Sequence, residues 1–178
     1  MAPAANVLVL GIGNTLQRDE GVGVHALAAL QAALSPAEAA GAVTFLDGGT
    51  LGLALLPVVE DATHLLILDA VDAHLPPGAV VELADDEIPL YSGVKLSQHQ
   101  VTFQEVLALA GLRGRLPARL HLIGVQPADL SLGVDLSPTV AAVLPAVVQR
   151  AIAVLQRWGV LPPSEGDGLE RSPGEDVP

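Results

Sequence analysis

The stretch VLVLGIGNTLQRDEGVGV, Val7 to Val24, restricts the fold more than any other part of the chain. Val7 to Leu10 are apolar at every position instead of alternating, the pattern of a strand buried on both faces of a parallel sheet. Gly11 and Gly13 allow a sharp turn, and Asn14, Asp19, Gly21 and Gly23 supply turn and cap residues. From Val24 onward, Leu27, Leu30 and Leu34 recur at helical spacing. The stretch therefore reads as strand, loop and helix, with the acids Asp19 and Glu20 where the helix begins. In an open α/β sheet, ligands bind in that region, outside the carboxyl ends of the strands.

The remaining chain repeats this alternation. Val43 to Leu46 predicts a second strand ended by the turn Asp47-Gly48-Gly49-Thr50, and Leu51 to Val59 a short helix interrupted near Pro57. His64 to Leu68 is a third apolar run that closes on Asp69. The strand near Ala79 to Leu83 follows a link too short for a parallel crossover, so it is expected antiparallel, at an edge. Ser97 with Gln100 and Thr102 with Glu105 have capping-box spacing, which predicts a helix ending near Ala110 with Gly111 as its stop. Arg119 to Val125 reads as the last strand. Ser137-Pro138 opens a helix to Trp158, bent at Pro145 and ended by Gly159. The expected fold is α/β: a three-layer, mostly parallel five-stranded twisted sheet with one antiparallel edge strand and helices on both faces. The first and third strands should lie side by side.

Composition limits the partners. Twenty acids against eight Lys and Arg give a net charge of −12, which disfavours nucleic acid and anionic membranes and suits a cation or a basic partner. Without cysteine there is no disulfide, thiolate metal site or cysteine nucleophile. No basic residue precedes Arg18, so no secretory n-region is visible. No apolar run reaches the ~18 residues of a membrane span. These features predict a soluble cytoplasmic protein with no membrane insertion. One domain is expected over residues 1–161, followed by a disordered acidic tail over 162–178, where five acids and four prolines accompany almost nothing apolar.

Three residues converge on the crevice if this topology holds. Glu20, four residues before Val24, would share the helix's inward face. Asp69 ends the neighbouring strand, and His99 sits where a helix begins, which favours a neutral, coordinating imidazole. Two carboxylates and an imidazole suit a borderline divalent cation with open positions for substrate. Plainer roles compete: Asp19 or Glu20 as complements to the helix dipole, Asp69 as a turn cap, His99 as a surface residue. Asp72 and His74 are spare ligands. His25, His64 and His121 lie in or beside a helix or strands and offer less. A dinucleotide site is the rival reading, with Gly11-x-Gly13 after a strand and Asp47 ending the next, but its third small position is Leu16. Patterns for serine hydrolases and P-loops are missing.

GIGNTLQRDEGVGV at 11–24, LDGGT at 46–50, LDA at 68–70, KLSQHQ at 95–100 and GVQP at 124–127, in this order, resemble the hydrogenase maturation endopeptidases. The resemblance spans about residues 6–160, and the run KLSQHQVTFQEVL at 95–107 resembles the branch serving membrane-bound uptake hydrogenases. It implies an endopeptidase that removes a C-terminal extension from the large-subunit precursor of a nickel–iron hydrogenase after nickel insertion, with no organic cofactor. It also implies that Glu20, Asp69 and His99 recognise nickel, carried by the precursor, and that Asp47, Gly48, Gly49 and Thr50 contact the substrate. Cleavage would use a metal-polarised carbonyl or metal-bound water, or else Asp47 or another carboxylate as general base, with nickel only licensing the substrate. A metallochaperone that holds the nickel-loaded precursor without cutting it is the alternative.

Overall fold

Val7–Ile12 forms strand β1 in the interior of the sheet, with a neighbour on each side, as its unbroken apolar run requires. The computed structural model describes residues 5–34, 43–88 and 103–163. After β1 come α1 (Val22–Ala33), β2 (Val43–Gly49), α2 (Leu56–Asp61), β3 (His64–Ala70), β4 (Val80–Ala84), α3 (Phe103–Leu112), β5 (Arg119–Val125) and α4 (Pro138–Arg157). The strand order is β2-β1-β3-β5-β4. β1 pairs in parallel with β2 and β3, β3 pairs in parallel with β5, and β4 is antiparallel to β5 at the edge. The chain thus leaves β1 toward β2 and returns on its other side as β3, which makes the β1/β3 boundary the switch point of the sheet.

Alternation along the strands separates two cores. Val7, Val9, Leu66, Leu68 and Ile123 pack under α1 and α4, against Leu27, Leu30, Ala151 and Val154. Leu8, Leu10, Leu65 and Ile67 face α2 and α3, against Val59, Val106 and Ala110. Truncating a side chain such as Leu66 or Leu10, both fully buried, to Ala costs about 2–5 kcal/mol. α4 is long and apolar enough, by length and composition, to cross a bilayer. Val140, Val147, Ala151, Val154 and Leu155 on this helix are nevertheless buried in the first core.

Several boundaries differ from the sequence expectations. β2 continues through Asp47 to Gly49 because a bulge at Gly48 keeps it in register: Gly11 faces Asp47 while Ile12 faces Gly49. The helix expected over 51–59 divides into a 3-10 turn, Gly52–Leu55, and α2, where Pro57 lies in the first turn and needs no N–H partner. α3 runs through Gly111; the left-handed conformation that ends such a helix falls to Gly114, at φ 67°. Ser137 caps α4 through a bond from the Val140 N–H (3.3 Å), and the helix continues through Pro145. The capping residues 97–102 and the tail beyond 163 lie outside the described residues.

Candidate active site at the carboxyl rim of the sheet

The loop after β1 folds onto itself. A Cβ on Gly13 (φ 135°) would stand 1.8 Å from the Glu20 carbonyl oxygen, and one on Gly23 would meet the Leu68 carbonyl at 2.1 Å. The glycines therefore admit the protein's own backbone, with the 3-10 turn Arg18–Gly21 lying directly against Gly13. Glu20 belongs to that turn, since α1 starts only at Val22. Its burial, 8% exposed, arises from the turn and not from helical spacing with Val24.

Asp69 is the penultimate residue of β3 and is half-buried. One carboxyl oxygen accepts the Ala70 N–H at 2.8 Å. Burial, with the charge of Glu20 beside it, pushes Asp69 up to about 7 despite that bond. Burial also raises Glu20. Two carboxyl groups so placed repel when both ionise, and a cation or a shared proton relieves the cost. Strand alternation sets Asp69 on the α2/α3 side of the sheet, opposite Leu68. α3 joins this rim at its start: its far end meets α2 through the Arg113–Glu60 pair and leads into β5. His99 itself lies outside the described residues.

Asp47 is exposed and accepts the Gly49 N–H at 3.0 Å, a local turn bond. The Gly49 carbonyl accepts from the Gly13 N–H (3.0 Å) and the Gly48 carbonyl from the Leu51 N–H (2.9 Å). These bonds seat Gly48, Gly49 and Thr50 beside the 13–21 loop. In register, Asp47 faces Gly11, which faces Leu68. Two strand spacings, about 10 Å, therefore separate Asp47 from the strand of Asp69. The charge of Glu20 thus reaches Asp69, while Asp47 stands at the flank.

The matched family model is that of the hydrogenase maturation proteases, over residues 24–154. The chain belongs to that family. It is similar to the hydrogenase expression/formation protein HupD of Rhizobium leguminosarum bv. viciae, 44% identical over 96% of this chain and 84% of that protein. The hydrogenase 2 maturation protease of Escherichia coli is 37% identical over 86% of this chain and 93% of its own. The solved structure of the maturating endopeptidase HybD of Escherichia coli superposes with a TM-score of 0.77, at 36% identity, covering 86% of this chain and 94% of that one. The fold, with its one antiparallel strand, is that of the family.

In this maturation protease the residue that sequence reasoning misjudged is Asp19. It is fully buried, and does not act as a solvent-facing complement to the helix dipole. Its carboxylate accepts from the backbone N–H groups of Ala128 (2.9 Å), Asp129 (2.8 Å) and Ser137 (2.7 Å), and from the Ser137 hydroxyl (2.8 Å). Burial alone would raise its pKa, but these four donors hold it below the usual carboxylate range. The spare ligands have local duties as well. Asp72 accepts from the His74 N–H and the Gln126 amide, whose own oxygen binds the N–H groups of Ala73 and Leu75. Among the described residues no group of three His, Cys, Asp or Glu forms a metal cluster. A depression of about 400 Å³ lined by His64, Arg119, His121 and Trp158 lies at the amino ends of β3 and β5, away from the acids.

Proposed function

We propose that this protease removes the C-terminal extension of a nickel–iron hydrogenase large-subunit precursor in the cytoplasm, after nickel has entered that precursor. The observation that carries the reading is the coupled pair Glu20 and Asp69 at the switch point, two carboxyls whose mutual repulsion a divalent cation removes. His99 is the third ligand; it lies four residues before α3, whose start faces the same rim. The metal these groups receive is the precursor's own nickel, so it is part of the substrate. Glu20, Asp69 and His99 bind it and thereby orient the adjoining peptide, while Gly48, Gly49 and Thr50 flank the bound segment. With Asp47 at the flank, the carbonyl attacked is polarised at the metal, and Asp47 serves substrate recognition.

Incubation of the purified protease with nickel-loaded precursor, followed by intact-mass measurement, tests this. The large subunit should lose its extension only when nickel is present. Glu20→Gln, Asp69→Asn and His99→Ala should each slow cleavage by about a hundredfold or more, whereas Asp47→Asn should keep nickel-dependent turnover. A stable complex with no loss of mass would identify a metallochaperone, and full activity in all three ligand variants would remove the nickel site.

A further inference from the structure

Four apolar side chains stand in solvent beside the site: Leu132 at 82% exposure, Leu16 at 62%, Val134 at 61% and Leu130 at 43%. Single exposed leucines need no explanation, but a group of four on two adjoining loops does. The loops are not loosely apposed. Gln17 and Gly133 form a parallel bridge, the Gly133 N–H donates to the Leu16 carbonyl (3.0 Å), and the Arg18 N–H donates to the Gly133 carbonyl (2.9 Å). The bridge places Leu16 beside Leu132, with Val134 on the same side by alternation. Beneath them the Arg18 side chain lies across Gly133, where a Cβ would come within 2.9 Å of its Nε. Arg18 adopts φ 44°, a conformation that a non-glycine residue holds only under constraint. The constraint is the buried Asp19 carboxylate with its bonds to Ala128, Asp129 and Ser137.

We infer that Leu16, Leu130, Leu132 and Val134 form the docking surface for an apolar segment of the precursor adjoining the peptide that is cut. The inference rests on the proposed function and extends it from the cleaved bond to the surface that selects the substrate. Continuity with the site identifies the occupant: Leu16 and Glu20 share one loop, four residues apart, so a segment that adjoins a group held at Glu20 has these apolar side chains beside it. A rigid backbone displaying apolar side chains binds without first ordering a loop, which favours affinity. Because the contact is apolar, complex formation should be little affected by raising NaCl to about 0.5 M.

The test is steady-state cleavage of nickel-loaded precursor by the wild type and by Leu132→Asp and Leu16→Asp, with capture of that precursor measured for the same three proteins at times short against turnover. The expected result is a rise in KM and in the capture Kd of about tenfold or more, with the loss confined to KM and the melting temperature preserved. Unchanged KM and capture in both variants, against an active wild type, would overturn the docking surface alone. A wild type that neither cuts nor holds the precursor would overturn the proposed function and this surface with it. A second copy of the chain as the occupant is the remaining rival: sedimentation showing a dimer that Leu132→Asp dissociates, without change in KM, would also overturn it.

Discussion

At the scale of single residues, the adjacent acids Asp19 and Glu20 have opposite environments. Asp19 is wrapped in donors and stays ionised; Glu20 is buried without that compensation and faces another carboxyl. Replacing Asp19 by Ala would leave the Ala128, Asp129 and Ser137 donors unpaired in the interior, at an expected cost of about 3–5 kcal/mol, readable as a lower urea midpoint. Because its pKa is depressed in the fold, its contribution is present above about pH 4 and lost as the pH falls further; the Asp19→Ala protein should lack that part of the acid transition. The chain reveals that an acid stands at this position but not what it binds. Ser137 lies 118 residues away in sequence, and no local spacing connects the two. Asp69 could be placed at a strand's carboxyl end because it closes an apolar run, whereas helical spacing from Val24 misplaced Glu20, which sits in a 3-10 turn ahead of the helix.

At the scale of elements, β1 and β3 were visible as apolar runs, and the antiparallel edge strand followed from the short link that precedes it. Ends were harder to read, because glycine has several uses. Gly111 reads as a stop, yet it lies inside α3 with nothing within 4 Å of a Cβ, while Gly114 holds φ 67°. Gly111→Ala should therefore stabilise the protein by about 0.5–1 kcal/mol, and Gly114→Ala should destabilise it by a similar amount; thermal unfolding of the pair compares them directly. Likewise the Asp47-Gly48-Gly49 sequence reads as a turn. The bulge that lets it extend β2 depends on Gly48 packing against Leu10 and Leu55, a tertiary contact.

At the scale of the whole molecule, the acidic pair sets how stability responds to pH. Asp69 has its midpoint near 7 in the fold, against an ordinary value of 3.8, so the folded protein retains a proton that the unfolded chain releases. Stability should fall as pH rises from about 4 to about 7 and stay reduced above that. Asp69→Asn should remove the penalty: the metal-free variant should gain about 1–3 kcal/mol at pH 8 and nothing at pH 4, measured by denaturant titration at both values. A protein that becomes more stable on losing a site residue has that residue for its chemistry, not for its fold.

Ser137 occupies two positions at once, as the first cap of the last helix and as a donor to Asp19 near the start of the chain. During synthesis the two acids leave the ribosome early, but the frame that fixes their loop arrives only with residues 128–137. A nascent chain therefore carries the ingredients of a protease well before it can act as one, and competence waits for residues more than a hundred positions downstream.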